Sequence, residues 1–380
     1  MNEATAPSAS APWGVLLVDK PEGPTSHDVV GWVRWALGES QVGHCGTLDP
    51  AASGLLVLCI GPATRLVPYL TGVDKSYRAR FALGRSTTTE DREGSTVAYA
   101  EVSPRKRAAA RTALAELHGL LMLSPPAFSA VKVAGQRAHR LARRGQTVEL
   151  PPRPMTVLSV HDLLADPDPA ALEPWIEATM TVSKGTYLRT LAVELGRRVG
   201  VPAHLGALRR VASGPLDLAD PRTVTGLLAE PLPARPGLPP KLRLRWPAIE
   251  GTTVVGASGA SGASEGRGDA RQAISAALQA ALIDPCDALG LPLVVIGPDD
   301  PRVATLTRLR QGQAVTVDAG HAAWLPSAPI LSGEGLPPAP RLVLRDADGI
   351  VVVRREATAD GEVLRPERVL GPSRVPAPTA

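Results

Sequence analysis

Between Gly14 and Leu218 the apolar positions follow two periods in turn. Gly14 to Asp19 is a short, nearly continuous apolar run, as expected of a buried strand. After Pro21 and Pro24, Thr25 and Ser26 stand where a helix cap is wanted. Val29, Val30, Val33 and Leu37 then recur at helical spacing, so a helix to about Leu37 is predicted. Leu55 to Ile60 reads as a second buried strand and Ala63 to Leu70 as a short helix. Ser76 to Leu83 reads as a strand with Tyr77, Ala79, Phe81 and Leu83 on one face. Thr96 to Val102 is a further strand, and Pro104 opens a helix rich in Ala, Arg and Leu. The alternation lacks the regular spacing of a doubly wound fold, which gives an α+β chain with a mixed sheet.

The pattern changes at Pro231. Residues 231–283 read as a Pro/Gly/Ala-rich insert, with a flexible Gly/Ala/Ser stretch from Gly256 to Gly268, closed by a short Ala-rich helix. From Asp284, strand runs are predicted at Leu293 to Ile296, Ala314 to Val317, Arg341 to Leu344 and Ile350 to Arg354. Asp346-Ala347-Asp348-Gly349 supplies a hairpin turn between the last two. The expected organisation is a disordered tail (1–12), a catalytic domain (13–230) holding the whole active site, the insert (231–283), a small β-rich domain (284–370) and a second tail (371–380).

Composition narrows this picture. At 380 residues the chain can bury several cores, and with 3% aromatic residues those cores must be filled by Leu, Val and Ala. Cys45, Cys59 and Cys286 are far apart in sequence and show no metal-ligand spacing, so a metal-free, cytoplasmic chain is expected. Neither a signal peptide nor an apolar stretch of about 18 residues is present, and no membrane association is expected. The net charge of +4 is modest but uneven. Lys132, Arg137, Arg140, Arg143, Arg144 and Arg153 face only Glu149, while Lys184, Arg189, Arg197, Arg198, Arg209 and Arg210 face only Glu194. Two such clusters are expected to form a phosphate-tracking surface.

The chemistry concentrates around Asp49, in Gly43-His44-Cys45-Gly46-Thr47-Leu48-Asp49-Pro50 followed by Ala52-Ser53-Gly54. A carboxylate is held there between a glycine-rich approach and a stiff exit, with small residues that admit another molecule's backbone. Written G-H-x-G-T-L-D-P-x-A-[ST]-G, the segment resembles motif II of the TruB family of pseudouridine synthases. Ser183-Lys184-Gly185-Thr186-Tyr187-Leu188-Arg189-Thr190 is similar to a second motif of that family, Lys75-Ser76-Tyr77 to its K-x-Y motif, and Lys20-Pro21-Glu22-Gly23 with Thr25-Ser26 to its motif I. Pro125-Pro126 through Ser129, Lys132, Gly135, Arg137 and Arg143 resemble its RNA-contacting segment, with His139 where the family usually has Tyr.

The resemblance covers about Trp13 to Leu218. It implies a mixed-sheet pseudouridine synthase fold with a PUA-like C-terminal domain, and isomerisation of uridine to pseudouridine at position 55 in the T-loop of tRNA. Asp49 is expected to be the catalytic aspartate and Arg189, one to two turns into a helix beginning near Gly185, its cationic partner. Tyr77 is expected to stack on the target base, and His44 to fill the space left when that base is flipped out. Lys20 is given a structural or RNA-contacting role, and Lys132, Arg137 and Arg143 RNA contacts. No cofactor or metal is called for, the partner is the tRNA T-arm without guide RNA, and a monomer is expected. Two rivals stand beside this reading: a tRNA-refolding protein in which modification is secondary, and a guide-RNA-dependent synthase subunit.

Overall fold

The computed structural model describes residues 12–129, 131–133, 136–144, 146, 150–168, 170–232, 242–247, 265–317, 341–358 and 361–371. Its first half is a nine-stranded sheet. Strand β1 (Gly14–Lys20) leads into helix α1 (Ser26–Leu37), then β2 (Val42–His44), β3 (Ala52–Ile60) and β4 (Lys75–Leu83). Helix α2 (Pro104–Ala115), β5 (Gly119–Leu123), β6 (Arg153–Ala165), β7 (Trp175–Val182), α3 (Leu188–Val199), β8 (Ala203–Ser213) and β9 (Leu216–Asp217) follow. The order across the sheet is β1-β3-β8-β4-β7-β6-β5, with β2 on β3 and β9 on β8. Among the described strand pairs of this sheet, β3 and β8 run parallel and the others antiparallel.

Strand β3 is buried on both faces, which explains its unbroken apolar run. Leu56, Leu58 and Ile60 face a core shared with Val29 and Val33 of α1 and Leu191 and Leu195 of α3. Leu55, Val57 and Cys59 face a second core containing Trp13, Val15, Leu66 and Leu70. Thr25 caps α1 as expected: its hydroxyl accepts from the Asp28 amide at 3.1 Å, and the Asp28 carboxylate accepts from the Thr25 amide at 2.8 Å.

The expected insert is partly structured. Leu228–Pro231 pairs with Leu242–Arg245, and Trp246 meets Trp32 edge-on with ring centroids 6.3 Å apart. Helix α4 (Glu265–Ala280) begins inside the expected linker and puts Ile274 and Leu278 into the first core. Residues 233–241 and 248–264 lie outside the described residues, as do the tails at 1–11 and 372–380.

Helix α5 (Pro285–Leu289) is followed by β10 (Leu293–Val295), α6 (Val303–Arg310), β11 (Val315–Val317), β12 (Arg341–Asp346), β13 (Gly349–Thr358) and β14 (Gly361–Leu370). The strands form a sheet in the order β10-β12-β13-β14-β11. The β12–β13 turn falls at the expected Asp346 to Gly349. Strand β14 was not expected, because Pro366 interrupts its pattern; a register shift in the β13–β14 ladder, between the pairs Val352–Arg368 and Val353–Pro366, accommodates the proline. One face of this sheet joins the second core through Val343, Ile350, Val352 and Leu370. The other packs on Leu306 and Leu309 of α6.

Cys45 and Cys59 lie with sulfurs 3.5 Å apart, because the β2–β3 register sets Gly43 opposite Cys59. One expectation needs correction. The helix carrying Arg189 starts at Leu188, not near Gly185. Gly185 has φ +83°, outside helical space, so Arg189 is the second residue of α3.

Candidate active site

The Asp49 loop joins β2 to β3, and its shape is fixed from outside. Ser26, 2% exposed at the start of α1, donates its hydroxyl to the Leu48 carbonyl at 3.0 Å and accepts from the Leu48 amide at 2.8 Å. Both backbone groups of the residue before Asp49 are thus held by one side chain. The Gly23 amide donates to the Pro50 carbonyl at 2.8 Å, tying the same loop to the segment between β1 and α1. From β8, the buried Arg210 donates through Nε to the Leu55 carbonyl at 2.6 Å and through Nη2 to the Gly46 carbonyl at 3.1 Å. Gly54 is required here: a Cβ would stand 2.2 Å from the Arg210 carbonyl oxygen.

Asp49 and Arg189 meet. Nη2 of Arg189 lies 3.0 Å from Oδ2 of Asp49; the arginine side chain is 9% exposed and the aspartate 48%. Nearly half of the carboxylate therefore remains open to an incoming molecule, while its cation is withdrawn from water. The guanidinium is fixed by further acceptors: Nη2 donates to the Phe128 carbonyl at 3.0 Å and Nη1 to the Thr89 carbonyl at 3.2 Å. Phe128 belongs to the expected RNA-contacting segment.

Asp91 is a group the sequence reading missed. Its Oδ2 is 3.9 Å from Nε of Arg189. Its Oδ1 is occupied locally, accepting from the Thr89 hydroxyl at 2.5 Å and the Glu93 amide at 3.1 Å. The signal was Thr-Glu-Asp-Arg-Glu-Gly, which reads as an ordinary Asx turn; only the fold shows the second oxygen aimed at Arg189. A cleft opens at this point, lined by Asp49, Ala51, Ala52, Asp91, Arg92, Arg189 and the backbone stretch Leu205 to Leu208 of β8. Arg92, which pairs with Glu22, was missed as well.

The other expected residues are placed as follows. Tyr77 is not among those lining the cleft; it is 9% exposed on β4, between Met180 of β7 and Arg210 of β8, in the apolar cluster that contains Leu48 and Ala52. His44 is partly buried, with Nδ1 lacking a hydrogen-bond partner among the described residues; burial, then the charges of Arg210 and His27, hold its pKa down, which favours the neutral ring. Lys20 is fully buried, its ammonium donating to the carbonyls of Pro21 (2.9 Å) and Pro24 (2.8 Å). Burial lowers its pKa to about 8 against the pull of Asp49. These two bonds tie the ammonium to the turn between β1 and α1. Lys132 and Arg137 are register partners in a two-residue hairpin, and Arg143 ends the short helix Ala138–Arg143.

In the second basic cluster, Glu194 and Asp19 engage three of the six cations. Glu194 takes both Arg197 and Arg198, at 2.7 and 2.9 Å, and Asp19 takes Arg209 at 2.7 Å. Arg189 and Arg210 are turned inward, whereas Lys184 is exposed and the Arg197 side chain stays 72% exposed. Glu194 and Asp19 thus offset only part of the cluster's charge.

Comparison with known proteins agrees with this geometry. Residues 34–188 match the model of the TruB family pseudouridylate synthase (N terminal domain). The tRNA pseudouridine synthase B of Thermobifida fusca is 46% identical over 221 residues, spanning 57% of this chain and 75% of that protein. That of Symbiobacterium thermophilum is 46% identical over 231 residues, 60% and 76% of the two chains. Among solved structures, a chain of a Cbf5-Nop10-Gar1 complex superposes with a TM-score of 0.59 at 23% identity, covering 98% of this chain and 92% of that one; it speaks for the fold. With three quarters of a curated relative covered at this identity, and the aspartate and arginine of its motifs in contact, the chain belongs to the TruB family of pseudouridine synthases.

Proposed function

We propose that this enzyme converts the uridine at position 55 in the T-loop of tRNA to pseudouridine, with Asp49 as its catalytic carboxylate. The observation that carries the reading is the Asp49–Arg189 pair at 3.0 Å, half open on the aspartate side and closed on the arginine side. The relatives' name supplies tRNA as the substrate class. In the reaction the N1–C1′ glycosidic bond breaks, the uracil turns, and C5 bonds to the same C1′; the proton leaves C5 and N1 gains one. Atoms balance without redox chemistry or a co-substrate. Asp49 has three routes open: attack at C1′, addition to the ring, or assistance to proton loss from the sugar with stabilisation of the cationic character there.

A stacked uridine hides both C5 and C1′, so the nucleotide has to be flipped, at a cost of a few kcal/mol. In this reading the neutral, partly buried His44 fills the vacated stack, Tyr77 meets the flipped base, and Lys132, Arg137 and Arg143 contact the RNA. The same reading has a monomer working in the cytoplasm on the T-arm, without guide RNA.

The test is mass-shift mapping of pseudouridine, after chemical labelling, on an unmodified tRNA transcript treated with this protein alone. A single labelled site at the T-loop uridine is expected. Labelling elsewhere would overturn the position, and labelling that needs an added guide RNA would overturn the stand-alone reading.

A further inference from the structure

One ionisable group of the site is used by none of the steps above. Glu90 lies between Thr89, whose carbonyl holds Arg189, and Asp91, whose free oxygen faces Arg189. Its backbone is left-handed, with φ +63°, a conformation that glycine or asparagine adopts readily and a long side chain does not. The segment is pinned on both sides: the Glu90 amide donates to the Thr87 carbonyl at 3.2 Å, and its carbonyl accepts from the Leu205 amide of β8 at 2.9 Å. One carboxyl oxygen, Oε2, is buried with no hydrogen-bond partner among the described residues. A strained residue that buries an unpartnered carboxyl oxygen beside the site's arginine is costly to keep, and such costs cluster at functional sites.

We propose that Glu90 is a third carboxyl group of the Arg189 site, and that its ionisation decides how much of the Arg189 charge is left for Asp49. Glu90 is thus a positioning residue acting on Asp49 through Arg189. The proposal rests on the pseudouridine synthase reading and deepens it.

The charged groups that act electrostatically on Glu90 are Arg189 from α3 and Asp91 from its own loop; β8 contributes the uncharged Leu205 amide, bonded to the Glu90 carbonyl. Burial raises the Glu90 pKa to about 7, more than the Arg189 charge can offset, with the neighbouring Asp91 carboxylate pushing the same way. Below that pH Glu90 is neutral, and Arg189 serves Asp49 and Asp91. Above it the site gains one negative charge, which offsets part of the Arg189 charge and weakens its hold on Asp49.

The experiment has two arms on the full chain. In the first, carboxyl carbons of glutamate are followed by NMR from pH 5.5 to 8.5 without RNA. One Glu resonance should titrate near pH 7 in the parent and be missing from Glu90→Gln. If every Glu carboxyl titrates below about pH 5.5, the proposal is overturned whether or not the protein is active. In the second arm, single-turnover pseudouridine formation at saturating tRNA transcript is measured over the same range. The parent rate should fall by about three- to tenfold through neutrality, as expected of one unit charge at short range in a partly screened site. Glu90→Gln fixes the uncharged form and should lose that fall.

A decline of the same midpoint in Glu90→Gln, or none in the parent, would overturn the proposal. Glu90→Asn, which tolerates the left-handed backbone, gives the same comparison should Gln fail to fold, and should raise the melting temperature by relieving strain. No product at any pH alongside a normal Glu90 titration would instead count against the enzymatic reading.

Discussion

Asp49 and Arg189 stand 140 positions apart, and the site consists in their meeting at 3.0 Å. Asp49→Asn keeps the side chain's size and removes its charge. Turnover should be lost while tRNA affinity stays within several-fold, because binding is spread over many phosphate contacts; filter binding beside a single-turnover assay checks both. Arg189→Lys keeps the charge but loses the fork that reaches Asp49, Phe128 and Thr89 together. Charge-assisted hydrogen bonds of this kind contribute roughly 1.5–3 kcal/mol, so the rate should fall about 10- to 100-fold. Parental rates in both Arg189→Lys and Arg189→Ala would show the pair to be incidental. Tyr77→Phe keeps the ring in its apolar setting; if the hydroxyl takes part in proton transfer at C5, single-turnover product formation slows while affinity holds. Unchanged kinetics would leave Tyr77 a packing role. At this scale the motifs made the Asp49–Arg189 pair legible. Asp91 and Glu90 stayed hidden, because a turn of Thr, Glu, Asp and Gly looks the same in sequence whether or not an arginine faces it.

The elements matter for how they aim the loop. Ser26 belongs to α1 by sequence and to the Asp49 loop by contact, since its hydroxyl holds both backbone groups of Leu48. Ser26→Ala should leave two buried backbone groups unpaired, each costing about 1–3 kcal/mol, and so lower both stability and rate. The informative result is a drop in kcat with little change in KM, since the loop that aims Asp49 would loosen while the RNA surface stays. A variant that melts earlier but reacts at the parental rate would show that the clamp does not aim the loop. The α1 cap was legible from Thr25 and Ser26, because capping is local chemistry. The start of α3 was misplaced by three residues, because the left-handed Gly185 and the turn after it are set by β7, which delivers the chain there.

Across the whole molecule, the expected boundary at residue 230 cuts through a core. Val15, Leu17, Leu55 and Val57 of the first half share one buried cluster with Ile283, Cys286, Val343, Ile350, Val352 and Leu370 of the second. Val15 and Ile283 exchange backbone hydrogen bonds at 3.0 and 2.7 Å, and Tyr69 donates to Glu367 at 2.9 Å across the same seam. A chain ending at residue 230 should therefore expose a strongly apolar face and melt well below the parent, or aggregate, in a thermal unfolding experiment. A truncated chain that melts like the parent would show this core to be dispensable. By itself the sequence determined whatever rests on local chemistry or short periods: the strands β1, β3 and β4, helix α1, the Asp346 turn and the family motifs with their aspartate and arginine. Tertiary structure alone decided which surfaces those elements share. That β3 is buried on both sides, that Arg209 pairs with Asp19, that Lys20 is sealed inside, and that Asp49 and Asp91 converge on Arg189 all depend on segments distant in sequence. Burial and charge pairing depend on distances in space, and a chain's order specifies those only once it has folded.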